Sequence, residues 1–489
     1  MKKFVLLLIA ACMLITCFAC GGGKDKGKNN EPAWIKDPDL KPNKNKWEDL
    51  PNYDGEGSDF RISTRGHYGA MELVVDDETS ENIVDQALVL RNEKVEERYN
   101  VFIVRQDNDS AQYAHLNQVL SDCTMQADKF DLAMTYVYES APLITNGFVL
   151  NWNNLKYNKL EESHWIHGMN DEFSVRDAIY TAISKMCIST IGQTVAMLYN
   201  RDLGDEWSGG EEFSADLIEM INEGDWTYDE LMKIINRFNW DDATGDGKTD
   251  DDSCTFYMSK DWMIDTWHAA WQVPMIKNTV ENGLEDVYWS DKLSTYASRM
   301  HTMYYETPGI FSGNGGQAYQ AFATGKALFI QAGLSATIGY FQETMTDYTY
   351  TIIPQPKFDE NQKKYYSAMT DNYSVMSIPI TADADIVSLL VEALSIASEA
   401  HVYPAYKFDA LQGQVVSDVD SMFDIVLESV SWDIGTLLHS KIPFMDMVRV
   451  DVNTNEGNSQ IKQSYDAIAD DVQDALDEIM TAFDEFQEN

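Results

Sequence analysis

At 489 residues, the chain exceeds what one hydrophobic core can organise, roughly 250–300 residues, and its 44% hydrophobic and 12% aromatic content can fill two. A formal charge of −44 excludes nucleic acid and anionic lipid surfaces as electrostatic partners. The acidity reads as a means of staying soluble outside a cell rather than as specific capture of cations.

Residues 1–20, MKKFVLLLIAACMLITCFAC, place Lys2 and Lys3 before an apolar core and small residues before a cysteine, the pattern of a secretory signal. Ala19-Cys20 followed by Gly21-Gly22-Gly23 looks like a bacterial lipoprotein processing site. Cys20 is the expected acylated (palmitate-bearing) residue, with Cys17 after Leu14-Ile15-Thr16 as the alternative. No later stretch reads as apolar enough to span a bilayer, so a lipid chain is the expected anchor, on the extracytoplasmic face of the cell membrane. Cys123, Cys187 and Cys254 show neither metal-ligand nor disulfide spacing and read as buried free thiols. Residues 21–58, rich in Gly, Lys, Asn and Pro, read as a flexible tether whose Trp34 and Trp47 can dock on the folded part.

Folding is expected to begin with a strand at Phe60 to Ser63 and a loop over Thr64 to Gly69 that carries Arg65 and His67. A helix capped by Thr79 or Ser80 runs to Tyr99 with Val84, Ala87, Leu88 and Val95 on its apolar side, and Asn100 to Val104 returns as a strand, giving a βαβ unit. A helix over Ala111 to Cys123 precedes a third strand, Phe130 to Met134. Tyr136, Tyr138 and Glu139 then stand just past its carboxyl end, where rings can stack on a pyranose and a carboxylate can take hydroxyls, unless the rings only pack between lobes. Apolar runs from Ile179 to Leu198 lead to a first crossing near Asn200.

In the next part Thr227, with Glu230 three residues on, caps an amphipathic helix to Phe238. Asp242, Thr244, Asp246, Lys248 (by its carbonyl) and Asp250, with Gly247, occupy the ligand and bend positions of an EF-hand-like loop, but Ser253 replaces the usual bidentate acid. Two readings stay open there, a structural Ca²⁺ site and an acidic solvated turn; no cofactor is otherwise required. Trp267 and Trp271, four apart, share a helical face that either fills the core or presents an indole plate to a groove. Ala327 to Ile330 is a strand ended by a turn at Gln331-Ala332-Gly333, followed by a helical pattern to Phe341 and a strand from Tyr348 to Ile353. Asp371, Asn372 and Tyr373 fall at a return crossing, Ile386 to Ser398 reads as a buried helix, Ser431-Trp432-Asp433 as a third crossing, and Ile461 to Phe483 as one amphipathic helix closing the second lobe.

The segment from Phe322 to Lys357, FATGKALFIQAG through TIIPQPK, resembles family 1 extracellular solute-binding proteins, the maltose-binding-protein-like receptors of ABC importers. Further similar stretches, Lys129 to Leu155, Met197 to Leu203 (MLYNRDL) and Tyr403 to Met422, follow in the family's order. The resemblance implies an α/β, two-lobed periplasmic-binding-protein-like (type II) fold with an interlobe cleft and several hinge crossings. It implies residues 59–199 and 373–445 in lobe 1, and 200–372 and 446–489 in lobe 2. It also implies that the turn at Gln331 contacts ligand, although an aromatic residue is usual there.

The implied function is a monomeric binding lipoprotein, not an enzyme, that closes on a carbohydrate, an oligosaccharide, and delivers it to the permease subunits of an ABC transporter. Arg65, His67, Tyr136, Tyr138, Glu139, Trp267, Trp271, Gln331, Asp371, Asn372 and Tyr373 are the expected ligand-binding residues. A secreted glycoside hydrolase or a surface carbohydrate-binding adhesin is the alternative, although no strand-end carboxylate pair, G-x-S-x-G or H-E-x-x-H motif supports an enzyme.

Overall fold

The computed structural model describes residues 44–73, 82–108, 111, 113–208, 212–238, 253–279, 281–370, 372–412, 415, 420–455 and 457–486, all within the compact unit Lys41–Asn489. Cys20, the loop ligands Asp242, Thr244, Asp246, Lys248 and Asp250, and the hinge residue Asp371 lie outside the described residues.

The chain lays down β1 (Ser58–Arg65), α1 (Gly66–Leu73), α2 (Ile83–Tyr99), β2 (Val101–Asn108), α3 (Ala114–Thr124) and β3 (Leu132–Tyr136). β1 pairs in parallel with both β2 and β3, so helices must carry the chain back between strands. Asn82, rather than Thr79 or Ser80, which lie outside the described residues, caps α2 by accepting from the N–H groups of Val84 and Asp85, and Val84, Ala87, Leu88 and Val95 are buried as the periodicity requires. α1 follows β1 without the expected loop. Residues 44–58 are packed rather than a free tether: Trp47 is partly buried, the Arg98 guanidinium lies 4.9 Å from its ring, and Lys46 pairs with Glu162 at 2.7 Å.

α4 (His167–Glu172) is followed by β4 (Val195–Asn200), α5 (Tyr228–Arg237), β5 (Cys254–Ser259) and α6 (Thr266–Ala270). A hairpin of β6 (Ile276–Thr279) and β7 (Gly283–Asp286), helix α7 (Asp291–His301), β8 (Ile310–Gly313), β9 (Ala327–Gly333) and β10 (Tyr350–Ile353) complete this part. The second sheet has the order β10-β4-β9-β5-β8. β4 is buried at every residue and pairs with β9 and β10, so it belongs to the second lobe and the first crossing precedes residue 195 instead of falling near Asn200.

β11 (Ser374–Ser377) returns antiparallel to β3, completing the first sheet as β11-β3-β1-β2. α8 (Ala384–Ala397) continues through a π-helical turn, Ser398–Val402, into α9 (Tyr403–Ala410). Pro404 has no N–H to give the preceding turn, which explains the widening. By length and composition this 27-residue run could cross a membrane, contrary to expectation, yet 78% of its most apolar window is buried within the protein. α10 (Asp420–Glu428) packs on β10, so part of the 373–445 stretch expected in the first lobe lies on the second.

Three stretches run side by side between the lobes. Val195 N–H donates to Ala368 O at 2.8 Å, Thr370 N–H to Gln193 O at 3.0 Å, Ser367 N–H to Ser429 O at 3.0 Å and Ser431 N–H to Ser367 O at 2.9 Å. The expected return and third crossings therefore meet the first one in a narrow hydrogen-bonded hinge.

After the hinge come α11 (Ile434–Leu437), α12 (Met447–Thr454), α13 (Ile461–Asp466) and α14 (Ala469–Glu485). The single helix expected from Ile461 is broken at Ala467-Ile468. α14 does not close the second lobe alone. Its buried stripe of Val472, Leu476, Ile479 and Phe483 bridges the two lobes: Phe483 meets Tyr180 of the first lobe at 5.0 Å, and α14 also packs on β7 of the second.

Candidate functional site

A cavity of about 460 Å³ lies against the hinge. Its walls are Ala368, Met369 and Tyr373 of the return crossing, Ser431, Trp432, Asp433 and Thr436 of the third, Glu172 at the end of α4, and Asp265, His268, Gln272, Met275, Lys277 and Asn278 around α6 and β6. The volume falls within the range of small-ligand sites. Both lobes reach it, and they touch at its edge, where Asn278 Nδ2 donates to the carbonyls of Glu172 (2.7 Å) and Ser174 (2.8 Å).

Gln272 ends α6 in the left-handed region, at φ 53°, a place usually held by glycine. Its amide donates to Ser431 Oγ at 2.6 Å and ties the second lobe to the third crossing. Asp433 fastens the same crossing from the other side, accepting from Met275 N–H (2.7 Å), Ile276 N–H (3.4 Å) and Gly435 N–H (2.8 Å). Burial pushes its carboxyl up to about 6, against the lowering effect of those three donors. Glu172 is pushed up to about 7, first by burial and then by the nearby Asp433 charge. Burial lowers His268 to about 3, so it is neutral, and its Nε2 is buried with no hydrogen-bond partner among the described residues. The Trp432 indole, partly exposed, stands edge-on to Tyr373 at 5.7 Å.

Of the expected ligand residues that are described, Tyr373 alone lines this cavity. Trp267 and Trp271 share a face, but it is the core face. Both are fully buried, Trp271 against Tyr228, Tyr296 and Phe358, because an indole offers more apolar area to a core than any other side chain. The neighbouring row one residue on, His268 and Gln272, faces the cavity instead. Gln331 lies inside β9, where its amide is consumed by Trp267 Nε1–H (3.2 Å) and Thr266 Oγ (3.0 Å), as a buried amide must be.

Arg65, Tyr136, Tyr138 and Glu139 are brought together but do not line the cavity. The Arg65 guanidinium lies 3.5 Å above the Tyr136 ring and 3.7 Å from Glu139, which accepts from Tyr113 N–H at 2.7 Å and is fully buried. Burial raises the Glu139 carboxyl. α11 packs over this turn, with His439 edge-on to Tyr138 at 6.1 Å. His67 falls in α1, its side chain outside what is described, and Asn372 is partly buried at the hinge without lining the cavity. The sequence reading missed Glu172, His268, Gln272, Trp432 and Asp433 as wall residues; the signal for Trp432 was its place at a crossing. Among the described residues no group of three His, Cys, Asp or Glu is arranged to hold a metal.

The sequence profile of the bacterial extracellular solute-binding protein family matches residues 101–384, more than half of the chain. The chain belongs to that family. The family is one of extracytoplasmic binding proteins, which agrees with a cavity at a hinge between two lobes. No curated protein matches the sequence of this solute-binding protein. Solved structures share its fold at low identity. A solute-binding protein from Thermotoga lettingae bound with α-D-tagatose is 13% identical, with a TM-score of 0.51 over 86% of this chain and 100% of that one. A Listeria monocytogenes substrate-binding protein in complex with cycloalternan is 11% identical, with 0.51 over 87% and 99%. The GacH receptor of Streptomyces glaucescens, seen unliganded and with acarbose, is 10% identical, with 0.53 over 86% and 99%. The two-lobed fold of the solute-binding protein is therefore shared with them.

Proposed function

We propose that this solute-binding protein captures a carbohydrate in the hinge cavity by lobe closure and hands it to the permease of an ABC importer. The observation that carries the reading is the cavity itself. Both lobes build it, it is of small-ligand size, and it sets the Trp432 indole beside carboxylate, amide and hydroxyl groups, the mix that recognises a sugar's apolar faces and polar rim. Tagatose, cycloalternan and acarbose in the three structural relatives support the same class. Closure would be favoured because a ligand touching both walls binds the closed form more tightly than the open one.

The rest of the reading is proposed with it. The leader would be removed and Cys20 acylated, tethering a monomer to the outer face of the cell membrane. The acidic loop from Asp242 to Asp250 would hold a structural Ca²⁺. Thermal-shift screening of the purified protein against mono- and oligosaccharides, with and without EDTA, tests both. A saturable rise in Tm with a sugar, without release of product, is expected; turnover of a glycoside would replace the reading with a hydrolase. Loss of membrane association on Cys20→Ala, but not on Cys17→Ala, tests the anchor.

A further inference from the structure

We infer that the hinge cavity selects a carbohydrate bearing a protonated amine, an amino sugar in its ammonium form, whose charge is met by Glu172 and Asp433 beside the Trp432 ring. The inference rests on the carbohydrate reading and narrows it.

The charges around the cavity are unbalanced in a particular way. Lys277, the lysine on its described wall, lies 3.5 Å from Glu285, and Arg449, outside the lining, lies 3.0 Å from Asp265 and 3.4 Å from Asp446. Glu172 on the first lobe and Asp433 on the third crossing have no basic partner among the described residues. Asp433 accepts from three backbone N–H groups, which leaves lone-pair capacity on a carboxylate that can accept about four hydrogen bonds.

Two further observations point to a ligand of this kind. His268, a wall residue only 4% exposed, keeps its Nε2 buried without a partner among the described residues, a cost that a hydrogen bond from a ligand would offset. Its imidazole stays neutral, so it offers a hydrogen bond without repelling an ammonium group. The partly exposed Trp432 face attracts a cation through its quadrupole as well as stacking on a sugar.

The same geometry gives a pH dependence. The groups facing the cavity are Glu172 on α4, Asp265 just before α6 and His268 on it, Lys277 on β6, and Asp433. In the empty cavity Glu172 and Asp433 keep their protons toward neutrality, about 7 and about 6. An ammonium group favours their ionised forms, so binding releases protons and strengthens as pH rises through those values.

Isothermal titration of the full chain with glucosamine, galactosamine and mannosamine, their N-acetyl forms and the parent hexoses, as monosaccharides and dimers, tests this. One amino sugar is expected to bind at least about tenfold more tightly near pH 7 than its N-acetyl counterpart. The preference should shrink toward about pH 5, and titration in buffers of different ionisation enthalpy should show proton release for the amine alone. In Glu172→Gln the ratio of amine to N-acetyl affinity should fall toward one. Because this is a ratio, a general loss of fold quality cannot imitate it, and Asp433→Asn gives a second reading of it. Equal affinity for amine and N-acetyl forms, or binding without proton release, overturns the inference while the carbohydrate reading stands. No heat from any sugar overturns both.

Discussion

Arg65, Tyr136, Tyr138 and Glu139 in the first lobe, and Glu172, His268, Trp432 and Asp433 around the cavity, combine similar kinds of group: aromatic rings, carboxylates and a nitrogen-bearing side chain, charged in Arg65 and neutral in His268. The first set is closed on itself. Arg65 lies on Tyr136, Glu139 is held by the Tyr113 N–H, and α11 covers the turn. The residues of the second set line a cavity instead. A strand's carboxyl end is thus a necessary address for a site but not a sufficient one, since the element packed above that end decides whether its side chains meet a ligand or one another.

The sharpest way to break this comparison is to remove an indole from each environment. Trp271→Ala deletes a fully buried ring touching Tyr228, Tyr296 and Phe358, and is expected to cost about 3–5 kcal/mol in chemical denaturation. Trp432→Ala should cost much less stability and lower ligand affinity by at least about tenfold in titration calorimetry. A reversed pattern would show that the core and wall assignments of α6 and the third crossing are mistaken.

Glu139→Gln comes next in size. It keeps the shape of the side chain but takes the charge away from Arg65 and weakens the bond from Tyr113 N–H, which should cost about 1–3 kcal/mol. Ligand affinity is expected to stay within about twofold. A large affinity loss without destabilisation would return the first-lobe cluster to the binding site.

These two tests bear on what the sequence could reveal. The α/β pattern, the caps at Thr227 and the buried helix after residue 383 were legible because propensity, capping and periodicity are local signals. The i, i+4 pairing of Trp267 and Trp271 was legible too, but a shared face carries no sign that says core or cavity. That choice is made by Tyr228 and Phe358, from distant parts of the chain. Gln331 could be placed on a strand, yet the Trp267 and Thr266 groups that consume its amide arrive from sixty residues away. Trp432 and Asp433 were visible as a crossing, while their role as wall depends on three crossings packing together. The division of the C-terminal region was misread for the same reason: the stripe on α14 is clear, but not that Tyr180 of the first lobe would meet it.

Asn278 sharpens the comparison at the lobe boundary. Its amide makes two hydrogen bonds to first-lobe carbonyls beside the cavity, and Asn278→Ala removes both while leaving the ring-bearing walls untouched. At about 0.5–1.5 kcal/mol per bond, loss of the two should weaken closure by about 1–3 kcal/mol and reduce ligand affinity about five- to a hundredfold, mainly through faster release, with little change in Tm of the empty protein. Stopped-flow release kinetics would read this. An unchanged release rate would mean that the contact does not hold the lobes together.

The smallest effect is expected from pH and the empty protein alone. Glu172 and Asp433 bind protons more tightly in the folded chain, about 7 and about 6, than when unfolded, where values near 4.3 and 3.9 apply. Below about pH 4 both states are protonated and the pair contributes nothing. As pH rises through 6 and 7 the unfolded chain has already released these protons freely, whereas the folded chain must ionise carboxyls held out of water, so this contribution to stability falls with pH. The buried histidines act in the opposite sense: His115, His268 and His401, lowered to about 4, about 3 and about 4, favour the folded state increasingly as pH rises toward 6.5. Only the difference between wild type and Glu172→Gln isolates the acid, because the histidines cancel in it. That difference in Tm should move by about 1–2 °C in favour of the variant between about pH 5 and about pH 7.5. A flat difference would mean that Glu172 is as well solvated as the exposed acids, and that the cavity wall on the first-lobe side is open to water.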